Sequence, residues 1–175
     1  MSSVEKISIR AKPGCQTKGL IVCGSYRFPC ALGRSGISIF KKEGNGATPV
    51  IRTRALYGFY RPDREARPRS TLAFHPLRPD MGWCDDSRHP SYNRLVRRPF
   101  EASHEIMWRD DSLYDLVIVL DINITSRIKD RGSAIFMHVA RENYTPTEGC
   151  IALSKANLKL LLKHLSDRTM MEIAQ

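Results

Sequence analysis

The chain of 175 residues lacks any apolar run long enough to cross a membrane as a helix. The longest, Leu116 to Leu120, falls far short of the roughly 20 residues such a span needs. Its opening segment, MSSVEKISIRAKPGC, has no apolar stretch followed by small residues, so it does not read as a secretory signal. The expectation is a cytoplasmic protein, or a periplasmic one if an export signal has been removed. Five cysteines, an odd number at irregular spacings, give no disulfide framework, which suits a reducing compartment. Cys15, Cys23 and Cys30 are too far apart in sequence for the short ligand pairs of zinc sites and are expected to be packing or surface thiols. No internal repeat is visible. Lysine is missing between Arg52 and Arg109, where every Lys-or-Arg position is arginine.

The length suits one domain, residues 1–175, with a sizeable core. Aromatic and β-branched residues lie in short runs between Gly, Pro and Asn, which predicts a mainly β fold with few helices. Ile7 and Ile9 alternate with polar neighbours over Lys6 to Arg10, read as an edge strand. Further strands are expected at Leu20 to Cys23, Tyr26 to Leu32 (interrupted by Pro29) and Ile37 to Lys41. Gly44-Asn45-Gly46 then signals a turn. Leu113 to Ile124 is the best central strand, and Thr169 to Ala174 a closing one. Glu101 to Trp108 is read as a short helix capped by Ser103. The net charge of +10 favours encounters with anionic partners, although Asp63, Glu65, Asp85 and Asp86 interleave with the arginines as on a solvated surface.

The chemistry concentrates between Ser133 and Leu165. Ala134, Phe136 and His138 alternate with Ile135, Met137 and Val139, the pattern of a mostly buried strand with a histidine near its end. A polar link with Pro146 leads to Gly149 and Cys150. Ser154 is placed to cap a helix whose apolar face is Leu158, Leu161, Leu162 and Leu165. If the link folds back, the imidazole meets the thiol and activates it as a nucleophile, with backbone N–H groups around Gly149 facing a developing oxyanion. A buried cysteine beside a core histidine is the plainer alternative.

His138, followed by Thr147-Glu148-Gly149-Cys150-Ile151, resembles the catalytic signature of the L,D-transpeptidase (YkuD-type) domain, a histidine, a spacer, then Ser/Thr-His-Gly-Cys and an apolar residue. GRSGISIFKKEGNGATP (33–49), GWCDD (82–86), YNR (92–94) and SHEIMWRDDSLYDLVIVLDIN (103–123) fit the same family. The resemblance implies a β-sandwich or barrel-like fold with one α-helix after the cysteine. It implies Cys150 as nucleophile, His138 as base and Gly149 in the catalytic turn. Thr147, Glu148, Trp83, Asp85 and Tyr114 are the implied substrate-binding positions. Trp83 would be a platform and Asp85 or Asp86 a hydrogen-bond acceptor; a loop held by its own Asx-turns is the alternative. The implied partner is a peptidoglycan stem peptide or muropeptide from the bacterial wall, with no cofactor, no metal and no nucleic acid.

Two departures stand out: Glu148 replaces the usual histidine, and Ala152 an arginine. A carboxylate beside Cys150 is expected to oppose the thiolate unless it points away or is paired. Cys84, Asp85, Asp86 and His89 mix soft and hard ligands and make a poor metal set. His104 is a second imidazole, read as a surface or bracing residue. The preferred function is an L,D-carboxypeptidase releasing terminal D-Ala from tetrapeptides. The alternatives are an L,D-transpeptidase that forms cross-links, and a non-catalytic basic module for nucleic acid or wall polymer. The sequence gives no oligomeric state.

Overall fold

The computed structural model describes residues 4–175. Eight strands close into a ring: β1 (Lys6–Lys12), β2 (Cys15–Cys23), β3 (Tyr26–Ala31), β6 (Ile51–Tyr60), β11 (Leu116–Leu120), β12 (Phe136–Val139), β13 (Ile151–Leu153) and β14 (Met170–Ala174). The order is β11-β12-β13-β3-β2-β1-β14-β6, and β6 pairs back onto β11 to complete it. Closure leaves no free edge within the ring, so β1 is flanked by β2 and β14 rather than lying at an edge. Ile7 and Ile9 alternate because one face of β1 meets the core and the other meets water.

Shorter strands decorate the ring. β4 (Ile37–Ser38) and β5 (Thr48–Pro49) pair with each other, and β7 (Phe74–Pro76) extends β6. β8 (Met81–Cys84), β9 (Leu95–Arg97) and β10 (His104–Ile106) form a separate three-stranded sheet. The helix expected over Glu101 to Trp108 is therefore absent. His104 to Ile106 pairs with β8, and this partner decides the conformation of a segment with weak local preference. The strand expected at Ile37 to Lys41 stops at Ser38, and Ile39 onward enters a loop that returns at Thr48.

Two apolar clusters result. The first fills the ring with Ile9, Ile21, Leu116, Ile118, Leu120, Met137 and Ile151, and the α-helix α1 (Lys155–Leu162), the only one among the described residues, adds Leu158, Leu161 and Leu162 to it. The second lies outside the ring wall, beneath the three-stranded sheet, and contains Trp83, Met107, Tyr114, Val117, Val119, Phe136 and Cys150. Leu116 to Leu120 reads as an unbroken apolar run because its odd and even positions serve different clusters. Ser154 caps α1, its Oγ accepting from the Asn157 N–H at 3.3 Å. Lys155 then bridges buried Asp115 at 2.6 Å and Glu65 at 2.9 Å, fixing the helix start against β11.

Candidate active site

His138 and Cys150 face one cavity from the β12–β13 pair. The two strands run parallel with His138 opposite Ala152, and the intervening link doubles back to deliver Cys150 just before β13. Both side chains line one cavity of about 490 Å³, with Asp85, Glu105, Arg109, Tyr114 and Lys41 around it. His138 is buried, and its Nδ1 lies 2.8 Å from the Val139 carbonyl. A carbonyl only accepts, so Nδ1 carries the proton and Nε2 keeps its lone pair. Burial, the largest cause, holds the imidazolium down to about 4, so the ring is neutral near pH 7. Tyr114 packs edge-on against it with ring centroids 5.4 Å apart.

The Cys150 thiol donates to the Ala134 carbonyl at 3.1 Å and accepts from the Phe136 N–H at 3.3 Å. Burial pushes it up to about 12, and the Glu105 charge acts in the same direction. The Phe136 N–H and Lys41 oppose that rise. The resting group is thus a neutral thiol turned toward a carbonyl.

The turn carrying it is fixed by three hydroxyl contacts. Thr147 Oγ1 donates to the Cys150 carbonyl at 2.6 Å and accepts from the Gly149 N–H at 3.1 Å. Thr48 Oγ1 donates to the Gly149 carbonyl at 2.9 Å. Gly149 has φ +133°, and a Cβ there would meet the Ala47 carbonyl oxygen at 2.8 Å, so both backbone and space require glycine. Because its N–H is committed to Thr147, the Cys150 N–H is the donor of this turn left to face an oxyanion.

A family model for the L,D-transpeptidase catalytic domain (YkuD) matches residues 24–173 of the chain. The chain belongs to this family. It is therefore a cysteine enzyme of L,D-transpeptidase type with peptidoglycan-related substrates, and its closed β ring with one helix is consistent with the family fold. No curated protein and no solved structure matches.

Within this L,D-transpeptidase domain the remaining sequence expectations separate. Glu148 lines the cavity, but its exposed carboxylate pairs with Arg34 at 2.8 Å, and the like-charge effect on the thiol comes from Glu105 instead. Trp83 offers no platform: it is buried, its indole N–H donates to Asn93 Oδ1 at 2.9 Å, and its ring packs edge-on against Phe136. It supports the site from beneath. Asp85 lines the cavity, and its buried Oδ1 has no protein partner among the described residues. Tyr114 also lines it, with its hydroxyl donating to Glu105. Burial, then Glu105, pushes that phenol well above its ordinary value, and burial raises the Glu105 carboxyl.

His104 does not line the cavity; its Nδ1 meets the Ala102 carbonyl at 2.8 Å. No group of metal-binding side chains occurs among the described residues. Sequence reasoning missed Lys41, Glu105 and Arg109 as cavity residues. Each lies far along the chain from Cys150, within the family-like stretches 33–49 and 103–123.

Proposed function

We propose that the protein is an L,D-carboxypeptidase that removes the terminal D-amino acid from a peptidoglycan-derived tetrapeptide, with Cys150 as nucleophile and His138 as general base. The observation that carries this reading is the neutral imidazole, fixed by Val139 with Nε2 free, in one cavity with the Cys150 thiol. Substrate entry turns Sγ from the Ala134 carbonyl toward the scissile carbon. As the S–C bond forms, the thiol proton passes to Nε2 and the carbonyl electron pair moves to oxygen, facing the Cys150 N–H. Collapse breaks the C–N bond, and the imidazolium returns its proton to the leaving amine. Water, deprotonated by the same Nε2, then opens the thioester and regenerates the thiol.

Water as the acceptor is supported by the size and charge of the cavity. About 490 Å³ suits one short peptide. Arg141 on its lining suits the free carboxylate of a short C-terminus. Asp85 Oδ1, buried and without a partner among the described residues, is placed to accept from a substrate N–H. The arginine surface favours a binding module less, because Arg52, Arg78, Arg97 and Arg109 are paired with Glu172, Asp80 and Asp111.

Incubation of the protein with a disaccharide tetrapeptide, read by mass spectrometry, is expected to give a tripeptide and free D-alanine. A cross-linked dimer as main product, or native protein fractionating with the periplasm, would favour the transpeptidase instead.

A further inference from the structure

Lys41 is 7 % exposed, yet it forms no ion pair within 4.0 Å among the described residues. Among the described residues its Nζ makes one hydrogen bond, to Asn45 Oδ1 at 3.2 Å. A desolvated ammonium with three donors and one modest acceptor is costly to keep, so its position calls for a reason. Burial, the largest cause, lowers the Lys41 pKa from its ordinary value, while the Glu43 and Glu148 charges act to raise it.

The surroundings hold it in place. Its stem runs between two glycines from different loops. A Cβ on Gly132 (φ +99°) would meet Lys41 Cε at 2.7 Å, and one on Gly149 would lie 3.3 Å from Nζ. Asn45 fixes the head. Its Oδ1 takes both the Lys41 ammonium and the Ala47 N–H, while its Nδ2 donates to the Phe40 carbonyl. The loop between β4 and β5 thus sets a cation against the nucleophile turn, on the cavity wall. That turn is short of donors, because the Gly149 N–H is spent on Thr147 Oγ1.

We propose that Lys41 is a further catalytic residue of this site, its ammonium acting with the Cys150 N–H as the second, charged donor to the tetrahedral oxyanion. A charge-assisted donor is stronger than a neutral amide and is worth most where water is excluded. In the covalent step Sγ bonds to the carbonyl carbon, the C=O π pair becomes the oxyanion, and the thiol proton goes to His138 Nε2. Lys41 keeps its own proton throughout. The role rests on Cys150 as the nucleophile but not on the identity of the peptide.

The test compares two modifications of Cys150, in a Cys15→Ser background because Thr17 hydrogen bonds hold the Cys15 thiol below its ordinary value. Acylation by p-nitrophenyl acetate passes through an oxyanion; alkylation by iodoacetamide does not. Lys41→Met keeps the stem and removes the charge. It is expected to lower the ratio of acylation to alkylation rates by about 100-fold, the effect of losing one oxyanion donor. Asn45→Ala, which keeps the charge and frees the head, should lower the ratio less. If Lys41→Met slows both modifications equally, or neither, Lys41 tunes the thiol or merely fills space, and the proposal is overturned. Should Lys41→Met not fold, an unchanged ratio in Asn45→Ala overturns it as well. A wild type that does not cleave the tetrapeptide, but whose ratio still falls in Lys41→Met, would refute the carboxypeptidase reading and leave Lys41's role standing.

Discussion

The two apolar clusters are built from the same residue types, but they do different work. Inside the ring, Ile7, Ile9, Ile118, Leu120 and Ile173 belong to one apolar cluster, whose thiols Cys23 and Cys30 are raised by burial and do not line the active-site cavity. Beneath the three-stranded sheet, Phe136, Trp83 and Val117 surround the Cys150 thiol, the Tyr114 phenol and the backbone groups that hold Sγ. The ring interior supplies rigidity at roughly 1.5–3 kcal/mol per buried large side chain. The outer cluster supplies low dielectric, which keeps His138 neutral and Cys150 protonated until substrate arrives. One strand, β11, serves both, so the stable element and the reactive one share a wall.

The sharpest separation should come from the reacting groups. Cys150→Ala is expected to abolish turnover while leaving the melting temperature nearly unchanged, since one small thiol contributes little packing. His138→Ala should lower kcat on the order of 100-fold or more. Near-wild-type turnover in that variant would remove His138 from the role of base.

Next in size is a pair of core truncations. Ile118→Ala, in the ring, should cost about 3 kcal/mol of stability with little change in kcat per folded molecule. Phe136→Leu should cost less stability but lower kcat, because that ring packs against Trp83 and Tyr114 at the base of the site. Denaturant melts alongside active-site titration decide it. Equal kcat losses in the two variants would erase the distinction between the clusters.

A pH effect follows from His138. Its folded value of about 4 lies below the unfolded reference, so the unfolded chain binds more protons between the two. The stability it contributes is full above about 6.5 and is lost as pH falls toward 4, up to about 3 kcal/mol. His138→Gln should flatten this part of the stability profile. A slope unchanged in the variant would show that other groups carry it.

The smallest effect separates two carboxylates. Glu148→Gln should leave the pH profile of Cys150 labelling where it is, because Arg34 already pairs with that exposed side chain, and exposed pairs contribute about 0–1 kcal/mol. Glu105→Gln should move the profile down by removing a charge that raises the thiol. The reverse pattern would return the tuning role to Glu148.

What the sequence revealed follows from distance along the chain. The strand with His138, the glycine turn, Cys150 and the Ser154-capped helix lie within one stretch, and their period-2 and 3.6-residue patterns are local. Lys41, Glu105 and Arg109 reach the site from other loops, so no spacing links them to Cys150. Trp83 beside two aspartates suggests an exposed loop aromatic. Its burial depends on Phe136 and Asn93, which only the fold brings near. Glu101 to Trp108 fails for a related reason: strand pairing with β8 overrides a weak local preference.

The placement of β14 has a consequence for biosynthesis. This strand, the last in chain order, lies between β1, with which it runs parallel, and β6. On a ribosome, β12, β13 and the nucleophile turn emerge while β1 and β6 still expose unpaired edges. The enzyme therefore carries its reactive segment through a stage at which the ring is an open sheet, able to pair with other nascent chains. Every residue up to Met170–Ala174 must leave the exit tunnel before that risk ends.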